Sequence, residues 1–143
     1  MQAYGSSRLT KDVDLMVSQV PSFAKKGARL NVGGRSVEIA GVPFDFIDRG
    51  DEYRDLYDAA IDSAKKVTGF DIPVVTPEFL VAMKMVAARP KDLADLDFLL
   101  SSVKLNTKLL QKIVLQHLGK YAVTDLHNRA QTARWLKSQG RLD

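Results

Sequence analysis

Short apolar runs alternate with longer helical patterns over roughly the first hundred residues of the chain. Apolar residues cluster or alternate, as in strands, over four runs: Val13–Ser18, Leu30–Val32, Ser36–Ala40 and Pro43–Asp48. The Gly33-Gly34 dipeptide between the second and third runs predicts a hairpin turn, because both glycines accept positive φ. Two shorter patterns predict a turn of helix at Pro21–Lys26 and a brief strand at Ile72–Val75.

Helical spacing of apolar residues, together with start and stop signals, predicts five helices. They cover about residues 51–66, 76–88, 91–102, 106–119 and 124–140, and begin at Asp51, Thr76, Lys91, Asn106 and Thr124. Arg89-Pro90 separates the second helix from the third, because the residue before a proline disfavours helical backbone. Gly119 and Gly140 end the last two helices. Strands mixed with helices and followed by a helical tail predict an α+β fold.

The chain has the length of one domain. Near residue 100 the predicted secondary structure changes from mixed strands and helices to helices alone, and the charge changes as well. Residues 1–100 hold 13 Lys/Arg against 15 Asp/Glu, whereas residues 101–143 hold 8 against 2. A basic C-terminal section is typical of proteins that bind an anionic partner such as RNA, a nucleotide or an acidic protein. A solvated helical face is the alternative interpretation, since Lys and Arg are common exposed helix formers.

Several classes of protein are excluded by composition. The chain has no cysteine, which excludes a disulfide framework and a Cys-based zinc site. The N-terminal residues lack the apolar core of a signal peptide, and no apolar run approaches the ~20 residues of a membrane helix. We therefore expect a soluble, cytoplasmic protein without membrane contact.

Three aspartates on two of the predicted strands are candidate metal ligands. Asp12 and Asp14 are two residues apart, so on a strand their side chains project from the same face. Two adjacent carboxylates repel each other, and a divalent cation such as Mg²⁺ or Mn²⁺ relieves the repulsion. Asp45 joins them if its strand is the neighbour, with Asp48 as the fallback candidate. Three such carboxylates can hold two metal ions around an in-line phosphoryl displacement; an ordinary strand edge with exposed acids is the alternative.

The residues around these aspartates resemble, motif by motif, the nucleotidyltransferase superfamily with its polymerase-beta-like fold. The resemblance covers about residues 5–100 and is to the toxin-like, abortive-infection branch. It is carried by Gly5, Arg8, Thr10-Lys11-Asp12-Val13-Asp14-Leu15, Val42-Pro43-Phe44-Asp45, Pro77-Glu78, Met83-Lys84 and Arg89-Pro90-Lys91-Asp92-Leu93-Ala94-Asp95-Leu96. It implies a nucleotidyltransferase-like mixed β-sheet packed with helices over residues 1–100, followed by a helical, basic extension of the same domain over residues 101–143.

The resemblance implies a role for each matching acid of the strands. Asp12, Asp14 and Asp45 would hold Mg²⁺ or Mn²⁺, and Asp45 would also accept the proton of the acceptor hydroxyl.

Further residues would bind the nucleotide. Arg8 and Thr10 would act at the phosphates and their loop, and Lys84 would neutralise charge on the leaving group. Asp92 and Asp95 would close the site and orient basic side chains. The alternatives are that Lys84 extends from an apolar helix into solvent, and that Asp92 is only an acid of a helical first turn.

Two departures from the superfamily pattern affect these expectations. Relatives have a phosphate-binding helix upstream of the aspartate pair, entered through Gly-Gly or Gly-Ser, whereas only eleven residues precede Asp12 here. Either the natural protein is longer, or another subunit of an obligate oligomer supplies the helix, or catalysis has been lost. The second departure is Phe79, where relatives often carry an acid, so we expect Lys84 to lack that partner.

The sequence therefore predicts a Mg²⁺-dependent nucleotidyltransferase that moves a nucleotide from an NTP onto a hydroxyl of an RNA, such as the tRNA 3′ end, or of a protein. In toxin-like relatives such an activity is paired with an antitoxin. The alternatives are a catalytically degenerate binding or regulatory subunit and, third, a phosphohydrolase that uses the same metals to admit water.

Overall fold

The computed structural model describes residues 1–6, 13–17, 19, 22, 25–26, 34–39, 41–47 and 52–142. They form two compact units, Met1–Asp62 and Ser63–Asp143. The first unit contains a short 3-10 turn, four strands and one helix, namely Gln2–Tyr4, β1 Val13–Met16, β2 Lys25–Lys26, β3 Gly34–Ile39, β4 Val42–Ile47 and α1 Arg54–Asp62. The second contains four helices, namely α2 Pro77–Ala87, α3 Pro90–Ser102, α4 Thr107–Leu118 and α5 Lys120–Ser138. The predicted α+β class is confirmed.

The four strands of the first unit form one mixed sheet in the order β1-β4-β3-β2. β1 runs parallel to β4, and the other two pairs are antiparallel. Gly41 lies between the paired Ile39 and Val42 and has a φ of 78°, a conformation that glycine adopts without strain. Pairing of β1 with β4 is the feature that positions the aspartates.

Two sequence predictions in this unit are wrong where the structure describes them. Gly34 is the first residue of β3 rather than a turn residue, while Gly33 and residues 30–32 lie outside the described residues. Lys25–Lys26 pairs with Arg35 and Ser36 as a strand instead of forming a turn of helix. In both cases the backbone conformation is set by pairing with a distant strand, which local sequence does not encode.

The second unit is a four-helix arrangement in which α2 and α5 each pack against both α3 and α4. Its apolar core draws on every helix, through residues that include Val81, Leu99, Val114, Leu126 and Ala133. Gly119, with a φ of 87°, ends α4 at the predicted residue. α5 begins immediately afterwards at Lys120, four residues before the predicted start at Thr124. None of the described helices is long and apolar enough to cross a bilayer.

The segment before α2 differs from its prediction in one further respect. α1 ends at Asp62 instead of about Lys66, because the backbone of Lys65 exchanges two hydrogen bonds with Val74, at 2.9 and 2.8 Å. The predicted strand at Ile72–Val75 is reduced to this single bridge.

Candidate functional site

Asp14 and Asp45 are direct partners across the parallel strands β1 and β4. Neighbouring strands lie about 4.8 Å apart, and successive residues of a strand project to opposite faces, so paired residues share a face. Asp14 is exposed, whereas Asp45 is only 5% exposed. The predicted adjacency of the two strands is confirmed, and it places the third aspartate beside one member of the first pair.

Alternation along β4 separates the acid from the aromatic rings. Phe44 and Phe46 flank Asp45, and they are the partners of Val13 and Leu15 on β1. Phe46 is 5% exposed and belongs to the apolar core. Because the period of a strand is two, the acids lie on one face of the sheet and the apolar residues on the other.

The two carboxylates fit the oxygen-only ligand set that Mg²⁺ and Mn²⁺ take in proteins. Asp12, the third predicted metal ligand, lies outside the described residues, as do Arg8 and Thr10. Among the residues that the structure describes, no group of three His, Cys, Asp or Glu side chains is placed to hold a metal ion. The described part therefore supplies two of the three predicted ligands.

A second cluster of charges lies at the junction of α2 and α3. α2 ends at Ala88, whose φ of 47° and ψ of 21° are left-handed and whose N–H donates to the carbonyl of Lys84 at 3.0 Å. Arg89 is extended, and Pro90 begins α3. This abrupt turn brings the last turn of α2 against the first turns of α3, so that Lys84 meets Asp92.

Lys84 is bound by both predicted supporting acids. Its Nζ donates to Oδ1 of Asp92 and to Oδ2 of Asp95, each at 2.7 Å. Nε of Arg89 donates to Oδ2 of Asp92 at 2.5 Å, and its Nη2 to Oδ1 at 3.3 Å. Asp92 is completely buried and Asp95 is 3% exposed. Two cations and two carboxylates thus form a cluster, Lys84/Arg89/Asp92/Asp95, that has no formal net charge.

The electrostatics of the cluster hold its central pair ionised. Burial alone would raise the pKa of Asp92, but hydrogen bonds from Arg89 and Lys84, and their charges, bring it below the ordinary 3.8. Burial alone would lower the pKa of Lys84, but the bonds and charges of Asp92 and Asp95 raise it above 10.5. Lys84 is therefore an ammonium fixed in direction by two carboxylates.

The geometry decides between the alternatives that the sequence left open for this cluster. Lys84 does not extend into solvent, because its side chain is only 12% exposed. Phe79 leaves it without the acid that relatives often carry there, and Asp92 and Asp95 bind it instead. Asp92 does lie in a first helical turn, yet it also binds two cations. The part played by Arg89 was not predicted, although its position three residues before Asp92 is a signal for such a pair.

Two other buried acids connect the helices around the cluster. Oε1 of Glu78, at the start of α2, accepts the backbone N–H of Asn106 at 2.8 Å, and Asn106 caps α4. Asp97 on α3 pairs with Arg129 on α5, whose Nη2 donates to Oδ2 of Asp97 at 2.7 Å and to the carbonyl of Leu93 at 2.9 Å. Sequence reasoning missed both contacts, because their partners are 28 and 32 residues apart.

One family model matches the chain, over residues 51–142, and its description is Nucleotidyl transferase AbiEii toxin, Type IV TA system. The matched segment includes the five α-helices of the described residues and the whole Lys84/Arg89/Asp92/Asp95 cluster, whereas Asp14 and Asp45 lie before it. No curated protein and no solved structure matches the chain.

Proposed function

Because the chain belongs to the AbiEii family of nucleotidyltransferase toxins of type IV toxin–antitoxin systems, we propose that it transfers a nucleotide from an NTP onto an acceptor hydroxyl, with Mg²⁺ as cofactor. The acceptor oxygen forms a bond to the α-phosphorus of the NTP. The bond between this phosphorus and the oxygen that bridges to the β-phosphorus breaks, and pyrophosphate leaves. The hydroxyl proton passes to a carboxylate of the protein. The acceptor is an RNA, such as tRNA, or a protein.

The observation that carries the proposal is the register of Asp14 with Asp45. Two carboxylates on neighbouring strands repel each other, and a bound divalent cation stabilises the arrangement. Asp14, together with Asp12, would hold Mg²⁺ or Mn²⁺, and Asp45 would be the third ligand. When bound, the ion supplies charge that neutralises the phosphate oxygens.

Asp45 is the candidate for the proton-accepting carboxylate. Its 5% exposure means that little water competes for it, which favours transfer from a positioned hydroxyl. Asp14 is exposed and is better suited to metal binding alone.

Lys84 is the candidate for binding the triphosphate, with Arg8 and Thr10 as further nucleotide ligands. An ammonium has three N–H donors, and two of those on Lys84 bind Asp92 and Asp95. The remaining donor can bind an oxygen of the leaving pyrophosphate, and the two acids fix its direction beforehand.

The remaining parts of the proposal concern partners and location. A toxin of this family is expected to act in the cytoplasm and to be opposed by an antitoxin protein. Association of the chain with a second copy of itself, in a homo-oligomer, is a further part of the proposal.

The test is label transfer from each of the four α-³²P-labelled NTPs, with Mg²⁺, to total tRNA or to cell-extract protein. Asp45→Asn should lower the transfer rate by about 10²-fold or more, since a general base contributes that much, and Asp14→Asn should also abolish most transfer. Asp71→Asn, an equally conservative change at an exposed acid before α2, is the matched control. Transfer that persists in Asp45→Asn contradicts the assigned role.

A second candidate function, a catalytically degenerate binding subunit, is favoured by one observation. The positive charge of Lys84 is already balanced by two acids, so the cluster has no net charge with which to stabilise a leaving pyrophosphate. In that case equilibrium dialysis would detect NTP binding while no acceptor becomes labelled at any Mg²⁺ concentration.

A further inference from the structure

The exposed faces of α4 and α5 carry cations and two aromatic rings, together with the exposed Leu109 and Leu115 of α4. We call this surface the outer α4–α5 face and define it by Lys108 and Lys112 on α4 and Lys120, Tyr121, Arg134 and Trp135 on α5. All six residues are exposed, and the two aromatic residues are 78% and 56% exposed. Neither ring contributes to the core of the second unit, so packing does not account for them.

The charge of this face is not compensated locally. Asp125 is the only acid among residues 103–142, against eight Lys and Arg. Of these eight, Arg129 is paired with Asp97, and Lys137 donates to the carbonyl of Ser101 at 3.2 Å. The cations of the outer α4–α5 face have no carboxylate partner among the described residues. The surface therefore attracts a polyanion and repels a second copy of itself.

The two helices present this face as one surface. Gln111 and His127 form a side-chain hydrogen bond of 2.7 Å, eight residues before and eight residues after Gly119. α4 and α5 therefore form a helical hairpin, with Gly119 as the single residue between them. Lys108 lies one turn before Gln111, so it approaches the same surface as the C-terminal half of α5.

The rings lie on one side of α5. Tyr121 and Trp135 are 14 residues apart, which is about four turns and about 21 Å along a helix. The residues between them on that side are polar or charged: Thr124, Asp125, Asn128, Gln131 and Thr132. Nζ of Lys120 lies 5.2 Å from the centroid of the Tyr121 ring, so that a cation accompanies this ring.

The combination of exposed rings and cations favours a single-stranded nucleic acid over other polyanions. The two rings are separated by polar and charged residues, so they do not form with each other the contiguous apolar patch that a protein partner would bury. They do provide separate platforms for unpaired bases, while cations beside them bind the phosphates. A duplex keeps its bases stacked internally and cannot use the rings.

We propose that the outer α4–α5 face binds a single-stranded stretch of RNA, by stacking of bases on Trp135 and Tyr121 and by contacts of Lys108, Lys112, Lys120 and Arg134 with phosphates. The proposal rests on the proposed function, since it selects RNA as the acceptor and assigns its binding surface.

The binding can be observed directly, because Trp135 is the only tryptophan of the chain. The full chain, without Mg²⁺ or NTP, is titrated with an eight-nucleotide oligouridylate while tryptophan emission is recorded. Stacking of a base on the indole should quench this emission. A self-complementary RNA duplex of the same length should quench it far less.

Variants then separate stacking from charge, with affinities measured by the anisotropy of a labelled oligonucleotide. Trp135→Ala should weaken the Kd about tenfold, since base stacking on one ring typically contributes that much, and Trp135→Phe should recover most of it. Phe70→Ala, at a 41% exposed ring outside this face, is the matched control and should leave the Kd unchanged.

The cations are tested through the salt dependence. Removal of two phosphate contacts in Lys108→Gln/Lys112→Gln should lower the slope of log K against log salt by about 1.4, at about 0.7 per contact for single strands. Lys66→Gln, an exposed lysine before α2, should leave the slope unchanged.

Unquenched emission at saturation, or equal affinity of Trp135→Ala and wild type, would overturn the proposal. Preferential binding of the duplex, or of a protein in place of RNA, would do so as well. Its failure is distinguishable from failure of the proposed function. If label is transferred and Trp135→Ala leaves the KM for RNA unchanged, only the proposed RNA-binding surface is refuted. If RNA binds to this surface but no label is transferred, only the proposed catalysis is refuted.

Discussion

Removal of Asp92 should be among the most destabilising single changes in the second unit. Asp92 has 0% exposure and accepts three hydrogen bonds from two cations. Asp92→Ala leaves Lys84 with Asp95 and removes the two hydrogen bonds that Arg89 donates to Asp92. Loss of one partner from a buried ion pair typically costs about 3–5 kcal/mol. Since Asp95 remains and Arg89 is partly exposed, we expect the lower end, about 3 kcal/mol.

The measurement is urea unfolding at pH 7, followed by far-ultraviolet circular dichroism and by the emission of Trp135, which reports on the second unit because it lies on α5. A double-mutant cycle with Lys84→Met isolates the pair. Lys84→Met should cost less in the Asp92→Ala background than in wild type, by about 1–2 kcal/mol. Asp125→Ala, at an exposed acid of the same unit, should stay within about 0.5 kcal/mol.

The pH dependence gives an independent check with a definite sign. The pKa of Asp92 lies below 3.8 in the folded state, so its stabilisation is present above that value and is lost as the pH falls through the folded-state pKa. The pKa of Lys84 lies above 10.5, so its contribution is present below that value and is lost at higher pH. The cost of Asp92→Ala should therefore be constant from about pH 5 to 9 and shrink below about pH 4. A coupling energy near zero, or a cost that grows in acid, would refute the reasoning.

Three further changes test other contacts of the second unit, each by the same urea titration. Ala88→Gly should stabilise the protein by about 0.5–1 kcal/mol, because glycine adopts the left-handed φ of 47° without strain. A destabilised variant would show that residue 88 of the α2–α3 turn is not left-handed. Glu78→Ala should cost about 2 kcal/mol by leaving the N–H of Asn106 unpaired, and a Glu78→Gln variant as unstable as Glu78→Ala would contradict this. Arg129→Ala should cost about 2 kcal/mol, as a charged hydrogen bond to a buried acid is lost, and Arg129→Lys should rescue little because one ammonium cannot reproduce the contact of both Nε and Nη2 with the carboxylate of Asp97.

Elements with strong local signals were predictable from the sequence. Thr76-Pro77 and Arg89-Pro90 mark the starts of α2 and α3, because proline suits the first helical position and excludes a continuing helix before it. Alternation of Phe44, Asp45 and Phe46 predicted β4 and the face on which its acid lies.

Features that depend on distant pairing were not predictable. β2 consists of two lysines, and it is a strand only because β3 pairs with it. The bond between Arg129 and Asp97 joins helices whose relative position is set by packing, and neither residue is unusual in its local sequence. The resemblance assigned Asp92 and Asp95 to the orientation of basic side chains, whereas their close contact with Lys84 follows from the left-handed Ala88 at the end of α2.

The family match and the aspartate pair lie in different parts of the chain, and kinetics can test them separately. Residues 51–142 establish the family and contain Lys84, whereas Asp14 and Asp45 precede that segment. If Asp45 accepts the proton, Asp45→Asn should lower kcat with little change in the KM for NTP. If Lys84 binds the triphosphate, Lys84→Met should raise that KM, and also lower kcat where the contact strengthens as pyrophosphate leaves. Alternatively, kcat of Lys84→Met falls only in proportion to the fraction of folded protein, and KM is unchanged. In that case the Lys84/Arg89/Asp92/Asp95 cluster is purely structural, and the catalytic residues are those of the sheet.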